Sequence, residues 1–418
     1  MRDESAAPLG SPARPIRIAT FGNLYPNAVQ PAHGIFVENR LRHLLGSGLV
    51  ESRVIAPVFW FPPALSPIFK GYVHYGQIPR REQRHGIEVL HPRYLVLPKI
   101  GMSLGAATLF ARALPVFRRL RKERDFDLID AHYFYPDGVA AALIGAVLHK
   151  PVVITARGSD LTELSRYALP RSMVRFAVRS AAGLIAVSRA LKDELVHLGA
   201  PASKVRVLRN GVDLSLFRPL ARAAARAAFG FEGSTLLSVG RLVGLKGYDL
   251  VIGALTRMPR HSLAIAGEGP ERASLERLAQ SLGVNERVRF LGSVPHERLA
   301  ALYSAADILV LASSREGWPN VLLEAMACGT PVVVSNIAGM SEIVTDAVGA
   351  FMPERTAGGV AAAVAEIERI APSRMSIRRY AEHFSWDETT LGQLRLFSEI
   401  LGAAPPVPAP HDIPACAV

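Results

Sequence analysis

Short apolar runs alternate with helix-length amphipathic segments through most of the chain, the pattern of parallel strands joined by helical crossovers. In the first half the expected strands are IRIATF (Ile16–Phe21), a stretch near Val54, GIEVLH (Gly86–His91), FDLIDAH (Phe126–His132), PVVIT (Pro151–Thr155) and GLIAVS (Gly183–Ser188). In the second half they are TLLSVG (Thr235–Gly240), SLAIAG (Ser262–Gly267), VRFLG (Val288–Gly292), DILVLA (Asp307–Ala312) and PVVVS (Pro331–Ser335). Both halves wind the same way, which predicts an α/β protein of two doubly wound, Rossmann-like domains. KVRVLRNGVDLSLFRPL (Lys204–Leu220), where a strand runs into an Asn-Gly turn and a Pro-containing extended stretch, marks the boundary. Residues 15–208 would form the first domain and 209–385 the second, with a helix over about 386–401 packing back on the first. Open α/β sheets bind ligands beyond the carboxyl ends of their strands, so the expected site is a cleft between the domains.

Composition agrees with this reading. The chain has 418 residues, suiting two domains, and 50% of them are hydrophobic, enough for sizeable cores. Residues 1–14 carry acids and prolines where a signal peptide would place a basic and then an apolar run, and residues 402–418 are Pro/Ala-rich; both are expected as disordered tails. Two cysteines, Cys328 and Cys416, supply neither a disulfide framework nor a CxxC metal pattern, which favours a cytoplasmic protein. Val54–Phe69 and Ala325–Ser341, apolar uncharged stretches, are 16 and 17 residues long and broken by Pro or Gly. Both fall short of the roughly 20 apolar residues of a spanning helix.

Charge is lopsided. Residues 1–210 hold 29 Lys/Arg and 15 Asp/Glu, a balance of +14, which leaves −2 for the rest of a chain of net charge +12. The basic residues are scattered and show no nucleic-acid-binding signature, so an anionic membrane surface or a phosphorylated substrate explains them better than nucleic acid. VIAPVFWFPPALSPIFKGYVHYG (Val54–Gly76) is aromatic and Pro-broken, and SLGAATLFARALPVFRRLRKER (Ser103–Arg124) ends on Arg118, Arg119, Arg121, Lys122 and Arg124. Such a pair can lie on anionic lipid; equally, the first is a core-packed loop and the second an ordinary amphipathic helix.

Several familiar sites are missing: there is no GxxxxGK[ST] loop, no GxSxG elbow and no HExxH. GEGPER (Gly267–Arg272) has two glycines of a dinucleotide fingerprint but Arg272 in the third place, so a nicotinamide cofactor is not expected. SSREGWPNVLLEAMACGTPVVVS (Ser313–Ser335) is the informative stretch. It places a loop, and then a helix opening at Pro319, beyond a strand's carboxyl end, where the free N–H groups of Asn320 and Val321 favour an anion. Glu316 precedes that terminus and Glu324 lies one turn after Asn320 on the same face, so the two carboxylates can reach one ligand from different sides. A glutamate alone in such a place more often caps a helix or pairs with an arginine. As a pair tied to an anion site, they fit a sugar bound to phosphate better than a glycosidase pair flanking one bond.

The E-x7-E unit from Glu316 to Glu324, followed by AMACGTPVV, resembles the donor-site signature of the retaining glycosyltransferases of family four, which have the two-domain GT-B fold. The Gly34 loop, DAHYFYPDG, TARGSD, AVSRAL, NGVDLSLFRP, SVGRLVGLKG, AGEGPE, FLGSVP and FSWDE match the family in order across roughly Ile16 to Leu401. The resemblance implies that Arg241 and Lys246 contact the diphosphate of a nucleotide sugar such as a UDP- or GDP-hexose, without metal or other cofactor. It also implies that Glu324 holds the ribose, that Glu316 holds the transferred sugar, and that Trp318, Asn320 and Val321 offer amides. Gly240 and Gly317 belong to the same donor-binding set, Val294 lies beside the nucleobase, and His132 near the donor sugar.

Two positions depart from the family pattern. His33-Gly34 replaces a paired glycine, leaving one permissive position for a phosphate to approach, and TARGSD carries Arg157 where a histidine is frequent. Arg157 either grips an anionic acceptor or pairs with Asp160. The implied partner is a glycan or lipid-linked acceptor of exopolysaccharide or cell-wall synthesis, at the inner face of the cell membrane. A GT-B nucleotide-sugar epimerase and an inactive sugar-nucleotide-binding protein are the alternatives.

Overall fold

The computed structural model describes residues 14–60, 75–95, 101–162 and 167–403. Positions 61–74 of the aromatic stretch lie outside these residues, as do both expected tails apart from residues 14, 402 and 403.

Among the described residues, ten strands precede residue 208: β1 (Ile16–Phe21), β2 (Val50–Ile55), β3 (Val58–Trp60), β4 (Arg81–Arg84), β5 (Ile87–Leu90), β6 (Arg93–Leu95), β7 (Leu128–His132), β8 (Val152–Ala156), β9 (Gly183–Ala186) and β10 (Val205–Val207). Eight of them form one sheet in the order β10-β9-β8-β7-β1-β2-β5-β4, and β3 pairs with β6. β4 runs antiparallel to β5, whereas β1 is parallel to both β2 and β7. Every residue of β7 and β8 is buried, as expected of parallel strands covered on both faces.

Six more strands form a second sheet: β11 (Ser234–Val239), β12 (His261–Ala266), β13 (Val288–Gly292), β14 (Ile308–Leu311), β15 (Val332–Ser335) and β16 (Gly349–Met352). All its pairings are parallel, in the order β13-β12-β11-β14-β15-β16. The chain builds outward from β11 to β13, then returns to add β14 on the other side of β11. Crossovers therefore leave β11 and β14 in opposite directions, opening a crevice beyond their carboxyl ends. Leu236, Ile265, Val310, Val333 and Val364 belong to the core that fixes this sheet against its helices.

Within the described residues the chain divides into two compact units, one falling within residues 1–155, 172–183 and 393–418, the other within 156–171 and 184–392. In the first, the later turns of helix Asp387–Leu401 pack closely. A side chain at Gly183 would meet Ile400 Cδ1 at 2.9 Å, and buried Arg40 donates from Nε to Gln393 Oε1 at 2.9 Å.

Candidate active site

In the second unit, the loops after β11, β12 and β14 touch backbone to backbone, which only glycine permits. A Cβ at Gly267 would sit 1.9 Å from Gly240 O, and one at Gly247 would sit 2.2 Å from Ala312 O. Leu242 N–H donates to Glu268 O at 3.0 Å and Ser314 N–H to Leu245 O at 2.8 Å. The loop carrying Arg241 and Lys246 is thereby fixed beside the loop carrying Glu316, on either side of the switch point.

The charges there are unequally engaged. Lys246 Nζ donates to Glu316 Oε1 at 2.6 Å, and Ser313 Oγ donates to the same oxygen at 2.6 Å. Arg241 is exposed, and among the described residues its guanidinium has no hydrogen bond or ion pair. Helix Asn320–Ala327 begins one residue later than expected, because Pro319 takes the cap position with extended backbone, and no side chain caps it. Its first N–H groups remain available to an anion. Gly317 packs on the neighbouring chain so tightly that a Cβ would lie 1.9 Å from Arg157 O.

Glu324 is partly exposed as a residue, but its carboxyl is enclosed by protein. Burial raises that carboxyl to about 7, against the opposing pull of a hydrogen bond from Tyr303, whose OH donates to Oε2 at 2.7 Å. Tyr303 is itself wholly buried and stays a proton donor, because burial and the adjacent Glu324 push its phenol well above its ordinary value. Val294 is partly buried between β13 and helix His296–Ala305.

Asn210, which the sequence motif held without a role, ties this region together. Its Oδ1 accepts from Arg157 Nη1 at 3.0 Å, its Nδ2 donates to Asn320 Oδ1 at 3.2 Å, and its carbonyl accepts from Trp318 Nε1 at 3.0 Å. Asp160 is fully buried, and its carboxylate accepts from the backbone N–H groups of Arg157 and Gly158, the latter at 2.7 Å. Tyr303 and Asn210 carried no spacing signal, since their partners are distant in sequence.

In the first unit, Gly34 caps helix Ile35–Gly46 at φ 67°, and a Cβ there would lie 2.4 Å from Leu24 C, so only glycine fits. His132 ends β7, is buried, and holds Nε2 3.4 Å from Asp130 Oδ2. A side chain at Gly22, just past β1, would meet His132 O at 2.9 Å.

Two family models match the sequence: "Glycosyltransferase Family 4" over residues 72–216 and "Glycosyl transferases group 1" over residues 224–384. A D-inositol 3-phosphate glycosyltransferase of Mycobacterium leprae is 37% identical over 222 residues, which is 50% of this chain and 51% of that protein. The chain thus matches about half the length of that relative. The putative teichuronic acid biosynthesis glycosyltransferase TuaC of Bacillus subtilis is 29% identical over 336 residues, 78% of this chain and 83% of that protein. Among solved structures, sucrose-phosphate synthase from Thermosynechococcus elongatus shares the fold with TM-score 0.76 and 22% identity, covering 94% of this chain and all of that one. Anabaena Alr3699/HepE, solved with UDP-glucose, gives TM-score 0.66 and 19% identity, covering 92% of this chain and 99% of that one.

Proposed function

The chain belongs to the family-four glycosyltransferases of GT-B fold, and on that premise we propose that it moves a hexosyl unit from a nucleoside diphosphate sugar to a hydroxyl acceptor, with retention of configuration and without a metal. The observation that carries this reading is the convergence of Arg241, Lys246, Glu316 and the Asn320 helix terminus on the β11/β14 switch point. Two cations and a helix terminus neutralise a departing diphosphate as a metal would. Lys246, already on Glu316, links the phosphate it receives to the carboxylate that holds the sugar. Glu324 accepts from the ribose hydroxyls.

The bond from the sugar's C1 to the β-phosphate oxygen breaks as the bond from C1 to the acceptor oxygen forms on the same face. The acceptor's proton passes to a phosphate oxygen, so no side chain has to act as general base. The acceptor is a glycan or a lipid-linked intermediate at an anionic membrane surface. This is in keeping with a relative named for teichuronic acid biosynthesis and with the basic first half of the chain.

The test is slow hydrolysis of α-linked UDP-, GDP- and ADP-hexoses by the pure protein in excess chelator, with the first-formed anomer read by NMR. Release of the α-hexose from one donor is expected. Release of the β-anomer, or loss of turnover in chelator, would refute retention or metal independence respectively.

A further inference from the structure

Tyr248 opens helix Tyr248–Ala254, directly after the Lys246-Gly247 pair, and is 4% exposed. Its hydroxyl has no hydrogen-bond partner among the described residues. A phenol so enclosed loses its water without compensation, a cost that calls for an explanation in a native structure. Burial, and next to it the Glu316 carboxylate, push the phenol well above its ordinary value, so it remains protonated and able to donate.

The surroundings say where that partner would come from. Gly240 is the first residue after β11, and a Cβ built there would lie 3.2 Å from Tyr248 OH and 3.8 Å from Lys246 Cε. The space left by the missing side chain is thus bordered by the unpaired hydroxyl and by the stem of the lysine. Any larger residue at 240 would crowd the hydroxyl, and its φ of 143° disfavours one in any case.

We propose that Tyr248 is a further donor-binding residue, whose hydroxyl donates a hydrogen bond to a phosphate oxygen of the nucleoside diphosphate seated over Gly240. The assignment rests on the proposed function, and it adds a contact from beneath the diphosphate to the cations at its side. An anionic oxygen is the fitting partner, because the group lacks an acceptor and a charged acceptor strengthens the bond.

Calorimetric titration of wild type and Tyr248→Phe with UDP, GDP and ADP, alongside melting of both free proteins, tests this. The free variant should melt no lower than wild type, because no bond is lost and an unpaired polar group is removed. Its affinity for the diphosphate that wild type binds best should fall about ten- to a hundredfold, while affinity for the corresponding nucleoside is unchanged. Equal diphosphate affinity in the two proteins would overturn the assignment. A melting point lowered by several degrees would also overturn it, by revealing a partner inside the free protein. Binding of no diphosphate by wild type would overturn the proposed function and, with it, this contact.

Discussion

Glu324 is the residue whose chemistry departs furthest from what its type suggests. Its carboxyl is raised from an ordinary 4.5 to about 7 by burial, so the fold favours the protonated form. Its stabilising contribution is therefore fully present below pH 4.5 and is lost as pH rises through 7, since between those values the folded state binds the extra proton. Glu324→Gln keeps an acceptor for Tyr303 and has nothing to ionise. The difference in melting temperature between variant and wild type should be small at pH 5 and grow in the variant's favour towards pH 8. Nucleotide affinity should behave oppositely: wild type gains as the carboxylate forms near pH 7 to accept from the ribose, and the variant binds weakly at all pH. Parallel melting profiles in wild type and variant would refute the raised carboxyl. Glu316 and Glu324 stand out in the sequence because one short segment holds both, the first in the loop before a helix terminus and the second a turn within that helix. Tyr303 was not, because it reaches Glu324 across 21 residues and a layer of packing. Arg157 was seen with its options open, and its bond to Asn210 depends on a residue 53 positions away.

At the scale of elements, the strands read from apolar runs are those with buried neighbours on both sides, such as β7, β8, β14 and β15. β3, β4, β6 and β16 were not foreseen: β3 and β6 have three residues, too few to show a period, β4 is wholly polar, REQR, and β16 opens on Gly349. The one-residue shift at Pro319 is of the size that helix ends generally carry. The Ser103–Arg124 segment, read either as lying on lipid or as an ordinary amphipathic helix, falls in helix Gly101–Glu123 and the residue after it, and the structure divides its basic end. Arg119 and Arg53 both pair with Glu123, and Arg124 pairs with Glu51. Arg118 and Lys122, one turn apart and exposed, have no ion-pair partner among the described residues. Each is thus free to add about 1 kcal/mol of attraction to an anionic leaflet. Sedimentation with phosphatidylglycerol vesicles at low salt should fall in Arg118→Gln/Lys122→Gln and weaken in wild type as salt screens the charge. Donor hydrolysis should be unchanged in the variant. Wild type that stays in the supernatant at low salt would point to a soluble acceptor.

For the molecule as a whole, the winding of two parallel sheets was readable from alternation alone, whereas the meaning of the β11/β14 switch point depends on strand order, which no run of residues encodes. The order brings the loop of Arg241 and Lys246 beside that of Glu316, 70 positions on from Lys246, and that juxtaposition is the central claim. Calorimetric affinity for a nucleoside diphosphate, measured in excess chelator for wild type, Arg241→Ala and Lys246→Ala, tests it most directly. Each variant should lose about 1.5–3 kcal/mol of binding. Lys246→Ala should lose more, because it also leaves the Glu316 carboxylate uncompensated beside the phosphates. Wild-type affinity in both variants, or binding that vanishes in chelator, would contradict a diphosphate site built from side-chain cations.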